Sequence, residues 1–177
     1  MLERKLDTII REVPDFPKKG IKFKDITSLL LNSNECSEVL DFLVKKVKNI
    51  KLDAIVGIES RGFLFGFLLA NKLGLPFVPV RKSGKLPGQT ISYKYDLEYG
   101  SSELEIHYND IQEGWDVLIH DDLLATGGTA VAAAELVKKS RANVAGFLFI
   151  VKLDYLNGKN KIEKYSKNIL GVLNCQN

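Results

Sequence analysis

Asp121 and Asp122 stand side by side at the end of the apolar run Val117 to Ile119, and Ala125, Thr126, Gly127, Gly128 and Thr129 follow within a few residues. A strand that ends in two acids and turns through Thr-Gly-Gly-Thr into a helix presents backbone N–H groups and a helix N-terminus to whatever lies beyond it. That arrangement cradles a phosphate. Gly127 and Gly128 let the backbone approach closely, and Thr126 and Thr129 add hydroxyl donors. The two carboxylates can accept hydrogen bonds from vicinal hydroxyls or hold a hydrated magnesium ion. A sugar phosphate satisfies both halves of the segment at once. Two better-known phosphate loops do not fit. Gly57 to Gly62 has the spacing of a nucleotide-hydrolase loop, but Phe63 and Leu64 stand where a Lys and a Ser or Thr would have to meet phosphate and metal. No GxGxxG follows any strand, so the dinucleotide fingerprint is missing.

The elements that would position this segment alternate between strand and helix. Ala54 to Ile58, Phe77 to Val80, Val117 to Ile119 and Val144 to Val151 read as short apolar strands, and Ile169 to Leu173 as a last one. Gly62 to Leu73 and the alanine-rich Thr129 to Lys139 read as helices between them, and Val39, Leu40, Leu43, Val44 and Val47 make one face of an earlier helix capped at Ser33 or Asn34. The pattern predicts an α/β fold, a mainly parallel twisted sheet with helices on both faces. Ligands of such sheets bind outside the carboxyl ends of the strands, where the acid pair falls. Leu2, Leu6, Ile9, Ile10 and Val13 share a helical stripe that Pro14 ends, and Pro14 to Leu31 reads as a long ordered loop with one short strand at most. Between the two halves, Ser92 to Leu97 and Glu103 to His107 alternate as strands of a hairpin, so residues 82–107 are expected to form a flap. GKNKIEKYSK, near the end, reads as a solvated helical turn or loop.

VLIHDDLLATGGTA resembles the phosphoribosyl-pyrophosphate (PRPP) motif of the type I phosphoribosyltransferases. Four further segments, DFPKKGIKFKDIT, ESRGFLFG, FVPVRKSGKLPG and LEYGSSELEIH, resemble the members that take adenine as the base. The similarity runs in order from about Asp15 to Val151 and is loose beyond. It implies one phosphoribosyltransferase domain over residues 1–177, with a base-binding hood at 1–32 and a mobile flap at 82–107. It implies transfer of the phosphoribosyl group of PRPP to adenine, giving AMP and pyrophosphate. Ala125 to Thr129 would hold the 5′-phosphate, and Asp121 and Asp122 the ribose hydroxyls. Ser60, Arg61, Arg81, Lys82 and Lys85 would line the pyrophosphate, with at least one basic residue supplied by a neighbouring subunit of a homodimer. The family's cis peptide falls at Glu59–Ser60. Phe23 would stack on adenine while the backbone of Lys22 and Lys24 reads the base edge, and Glu98 and Tyr99 would close over the site. Loss of pyrophosphate through an oxocarbenium-like state makes charge stabilisation the main demand, met by magnesium, Arg61 and Lys85, with Glu98 taking the proton of the attacking purine. Magnesium would be held mainly by PRPP near Asp121 and Asp122, with no dedicated protein cage.

Two alternatives stay open on the residues alone. Base choice rests on few contacts, so another purine remains a substrate candidate, although the loop from Asp15 to Thr27 argues for adenine. A PRPP sensor without catalysis is the other; members of that kind carry an added DNA-binding module, for which the chain shows no helix-turn-helix or basic stripe.

His120 departs from the family's aliphatic residue before the acid pair. It is read as a hydrogen-bonded strand histidine, and as a titratable group that would make binding respond to pH near neutrality. Composition narrows the partners. Lys and Arg number 25 against 22 Asp and Glu, and their scatter gives no nucleic-acid groove. The longest apolar run, Gly62 to Ala70, has about half of the roughly 20 residues that span a bilayer, so no membrane partner is expected. Charges at Glu3, Arg4, Lys5 and Asp7 interrupt any secretory core, and Cys36 and Cys175 are far apart with no metal-ligand spacing; both features predict a cytoplasmic protein.

Overall fold

The computed structural model describes residues 2–96 and 101–176. The chain opens with helix α1 (Leu2–Ile9), the antiparallel pair β1 (Arg11–Pro14) and β2 (Lys22–Asp25), a 3-10 turn (Ile26–Leu31) and helix α2 (Ser33–Val47). Then come β3 (Ala54–Ile58), α3 (Gly62–Leu73), β4 (Phe77–Lys82), β5 (Thr90–Asp96), β6 (Ser101–His107), β7 (Asp116–Leu124) and α4 (Gly128–Lys139). The chain finishes with β8 (Asn143–Leu153), a 3-10 turn (Asp154–Leu156), the short helix α5 (Gly158–Ile162) and β9 (Ile169–Cys175).

The main sheet has the order β5-β6-β4-β3-β7-β8-β9. Strands β4, β3, β7, β8 and β9 run parallel, while β5 and β6 add an antiparallel edge through the pairs Arg81↔Glu105 and Lys82↔Leu104. The expected α/β architecture is therefore present. The chain leaves β3 toward β4 on one side and returns in β7 on the other, so the gap between the carboxyl ends of β3 and β7 is the topological switch point. On one face Val117 and Ile119 of β7 pack with Ala130, Ala133 and Val137 of α4; on the other, Leu118 packs with Phe65 and Leu69 of α3, Leu43 of α2 and Leu6 of α1.

Three sequence expectations are corrected. The first helix ends at Ile9, and Val13 pairs with Phe23 in β1–β2, so Val13 belongs to a strand instead of the helix, and the short strand allowed around Phe23 is one half of a small hairpin. The sixfold run Ile26–Leu31, expected to be loop, is a 3-10 turn started by Asp25, whose carboxylate accepts from the Thr27 N–H at 3.1 Å. Strand β7 continues to Leu124, so the acids lie within a strand instead of at its end. What ends there is β3: its last pair with β7 is Gly57↔His120, whereas β8 stays paired with β7 to Leu124. Beyond His120 one edge of β7 is thus freed toward the switch point. GKNKIEKYSK contains α5, with Ile162 fully buried.

The antiparallel edge is fixed by a buried acid. Glu105 of β6 accepts from the N–H groups of Lys85 and Leu86, both at 2.9 Å, and from the Thr90 hydroxyl at 3.3 Å. Glu105→Ala removes the acceptor for two main-chain donors, and urea unfolding is expected to show a loss of about 2 kcal/mol or more.

Candidate active site

The turn between β3 and α3 begins with a cis peptide at Glu59–Ser60, as the resemblance implies. It carries Ser60 and Arg61 to the mouth of the switch point. A cavity of about 490 Å³ there is lined by Glu59, Ser60, Arg61, Lys82, Lys85, Asp121 and Asp122. A second, smaller cavity of about 80 Å³ is lined by Asp121 and by residues from Leu123 to Ala130. Asp121 borders both, so the two cavities lie on either side of its carboxylate.

The electrostatics follow from burial. Burial and the adjacent Asp122 charge push the Asp121 carboxyl well above the usual carboxylate range. Asp122, only 4% exposed, receives the Nε–H of Arg61 at 2.5 Å, and its own N–H donates to Asp121 Oδ1 at 2.8 Å. Arg61 also lies with its guanidinium carbon 5.5 Å from the centroid of the Phe23 ring, and Phe16 meets the same ring edge-on at 5.2 Å. One cation therefore joins the expected base platform to the expected ribose acids. Gly62 makes this closeness possible: a Cβ there would sit 2.9 Å from Asp121 Oδ1 and 3.0 Å from the His120 carbonyl.

The small cavity is lined by Ala125, Thr126, Gly127, Gly128 and Thr129, the residues expected to hold a phosphate. Gly127 caps α4 at φ +81°, and a Cβ on it would lie 2.7 Å from the Gly158 carbonyl oxygen. Gly158, at the start of α5, thus buttresses the loop from behind. The sequence reading missed it, and its only signal was a glycine in a polar segment.

The basic side chains divide. Lys82 and Lys85 are exposed and line the larger cavity. Arg81 does not line it. Its guanidinium donates to both carboxylate oxygens of Glu59, at 3.0 and 3.3 Å, and to the Lys85 carbonyl at 3.1 Å. The Lys82 N–H donates to the same Glu59 carboxylate at 3.0 Å, and Arg81 holds that carboxyl below its ordinary pKa. Arg81 acts as a strut for the loop bearing the two lysines, not as a free cation for a ligand. Glu59 and Glu105 were not singled out from the sequence because their partners, the Arg81 guanidinium and Lys82 N–H for Glu59 and the Lys85 and Leu86 N–H groups for Glu105, lie some twenty residues away.

In the hood, the Lys24 ammonium is buried between Asp7, at 2.8 Å, and Glu12, at 3.2 Å, on the side away from Phe23. The Lys22 N–H donates to the Tyr155 hydroxyl at 3.2 Å, and that hydroxyl lies 3.4 Å from the Lys22 carbonyl oxygen. Glu98 and Tyr99 lie outside the described residues. No three His, Cys, Asp or Glu side chains among the described residues gather to hold a metal, and no described helix is long and apolar enough to cross a membrane.

Comparison with known proteins decides the family. The Phosphoribosyl transferase domain family matches residues 25–176. Adenine phosphoribosyltransferase of Trichodesmium erythraeum is 50% identical over 159 residues, covering 90% of this chain and 94% of that one. The chain belongs to the adenine phosphoribosyltransferases. The crystal structure of the Thermoanaerobacter pseudethanolicus member of this phosphoribosyltransferase family superposes with a TM-score of 0.93 at 47% identity, covering 99% of this chain and 100% of that one. The Saccharomyces cerevisiae member, complexed with D-2,5-dideoxy-2,5-imino-altritol 1,6-bisphosphate and adenine, gives a TM-score of 0.88 at 41% identity over 97% of this chain and 98% of that one.

In this phosphoribosyltransferase, His120 behaves otherwise than expected. It is fully buried, and neither ring nitrogen has a hydrogen-bond partner among the described residues. Its Cδ2 lies against Gly66 of α3, and burial lowers its pKa to about 4. A group neutral above that value does not titrate near neutrality, so the expected pH response of binding is withdrawn. Its pH signature belongs to stability instead. The folded pKa lies below the unfolded value of 6.5, so the neutral ring's contribution is complete above pH 6.5 and is lost as pH falls toward about 4. His120→Val removes that loss. Urea unfolding of both proteins at pH 7.5 and pH 5 is expected to show the variant's relative stability growing on acidification, by about 2 kcal/mol at pH 5.

Proposed function

We propose that the joined cavities at the switch point transfer the phosphoribosyl group of PRPP to adenine, releasing pyrophosphate and forming AMP. The observation that carries this reading is the position of Asp121: it borders both a cation-free phosphate cradle and a larger cavity lined by Arg61, Lys82 and Lys85. A ribose placed between a 5′-phosphate and a pyrophosphate has its vicinal hydroxyls at that joint. Phe23, on the other side of Arg61, is then beside the anomeric carbon, where a base must wait.

In the reaction the bond from the anomeric carbon to pyrophosphate oxygen breaks, the bond to the purine nitrogen forms, and the purine loses a proton. Arg61, Lys82 and Lys85 face the leaving group's growing negative charge, and of the three only Arg61 acts beside the buried Asp122, where low exposure strengthens the interaction. Asp121 and Asp122 accept from the ribose hydroxyls and orient the ring. Phe23 supplies a stacking face; the Lys22 peptide reads the base edge by exchanging its Tyr155 partner for the base. Glu98 is assigned to take the purine proton on the sequence resemblance alone. Magnesium fits the donor set: two adjacent carboxylates without a cage suit a hard, hydrated cation that arrives with a polyphosphate, and it would neutralise the leaving group. The cytoplasm is the compartment that fits such a salvage enzyme.

A homodimer is part of the same reading. Helix α3 begins at the site and exposes Leu64, Phe67 and Leu68 by 41%, 56% and 45%, a row of large apolar side chains that a second copy would cover. Phe67→Glu is expected to shift the protein from dimer to monomer in sedimentation velocity; a monomeric parent protein would refute this.

The enzyme is tested with PRPP, magnesium and adenine, hypoxanthine, guanine or xanthine, each offered separately. AMP and pyrophosphate from adenine alone are expected. Turnover of a 6-oxopurine instead would overturn the base assignment, and PRPP binding without turnover would favour a sensor.

A further inference from the structure

The phosphate cradle is poor in charge for what it is asked to hold. Its lining, Asp121 and residues from Leu123 to Ala130, contains no lysine or arginine, so a phosphate dianion there depends on N–H groups, hydroxyls and the start of α4. Any further donor at its edge counts. Strand β5 supplies one. Ile91, Tyr93 and Tyr95 alternate onto the face that packs with α4, and β5 is fastened along that helix at two points. Near the helix's end Lys139 donates to the Ser92 carbonyl at 2.6 Å and lies 5.3 Å from the centroid of the Tyr93 ring. At its start the Tyr95 hydroxyl lies 3.5 Å from Thr129 Oγ1, and the Tyr95 ring covers Gly128, where an added Cβ would meet ring carbons at 3.8 and 3.9 Å.

We propose that Tyr95 is a phosphate-binding residue, contributed by β5 to the 5′-phosphate cradle, and that the bound phosphate in turn fastens β5 to the start of α4. Two hydroxyls at hydrogen-bonding distance satisfy one another with a single proton, which leaves the second free to point at an anion. A phenol is the better donor of the two, because it is the stronger acid. The phosphate thereby completes a three-way contact among Tyr95, Thr129 and itself. The Lys139–Ser92 contact holds the far end of β5 whether or not phosphate is bound, so the response to phosphate is confined to the end that bears Tyr95. This inference rests on the reading of residues 125–129 as the site of the 5′-phosphate.

Tyr95→Phe keeps the ring on Gly128 and removes only the hydroxyl. Steady-state kinetics of the variant are expected to show KM for PRPP raised about tenfold, the loss of one hydrogen bond to a charged group, with kcat and KM for adenine within about twofold of the parent. Hydrogen exchange supplies a readout independent of turnover: ribose 5-phosphate is expected to slow exchange of the 94–96 amides in the parent protein, with those nearer Ser92 unaffected, and to leave all of them unchanged in the variant. An unchanged KM for PRPP, or equal slowing in both proteins, would overturn the proposal. So would a parallel decline of kcat, both KM values and thermal stability, which would mean that Tyr95 only packs. A parent protein that binds ribose 5-phosphate yet makes no AMP would sink the proposed function and leave the Tyr95 contact to be judged by exchange alone.

Discussion

Two carboxyl groups that are consecutive in the chain and largely withdrawn from water set the terms for everything around them. Removing an ionised acid from water costs several kcal/mol unless a counter-charge and donors replace the solvent. The protein answers unequally. Asp122 takes the Arg61 guanidinium, while Asp121 is left with a peptide N–H and a carboxyl that holds its proton more tightly than usual. Arg61 has to arrive from the end of β3, and that fixes the turn at Glu59–Ser60 and the start of α3. Gly62 then has to lack a side chain, because Asp121 occupies the place a Cβ would take. The switch point is therefore shaped around one ion pair as much as around the strand order.

The two regions proposed to hold phosphate groups answer the same electrostatic problem by different means. The small cradle uses the N-terminal end of α4 and a loop braced by Gly158, with no cation in its lining. The larger cavity uses Arg61, from the turn between β3 and α3, and Lys82 and Lys85, on a loop whose backbone amides Glu59 and Glu105 hold. Fixed dipoles suit a group that stays bound through the reaction, since its charge does not change. Cations on exposed stems suit a group that gains charge and then has to leave.

What the sequence revealed was local, and what it hid was long-range. The five parallel strands, α3 from Gly62 to Leu73 and the Thr-Gly-Gly-Thr cradle were legible because each is written in a contiguous run with its own period or turn chemistry. Val13 was misread as the last residue of a helical stripe because its partner Phe23 lies ten residues on, across a turn no local pattern announces. Tyr155 stands against Lys22 from 133 residues away. Arg81 looked like any other cation near an anion site until Glu59 was found to hold both arms of its guanidinium. His120 was expected to titrate because its neighbours in the chain are acids, yet successive strand residues point to opposite faces, and its ring faces the α3 side of the sheet.

The hood shows how far the central ion pair reaches. Strand β2 is held from behind by Lys24 between Asp7 and Glu12, from its edge by Tyr155, and from the cleft side by the contact of Arg61 with Phe23. Only the last of these involves a residue that a pyrophosphate would also attract. Arg61 holds Asp122 and faces Phe23 at once, so on the proposed reading it stands where the pyrophosphate, ribose and base regions meet. The three proposed regions thus share a single side chain, while Lys24, between Asp7 and Glu12, holds β2 from the other side. A substitution of Arg61 consequently acts on all three parts of the site together, which separates it from Lys82 and Lys85, whose exposed stems touch the larger cavity alone.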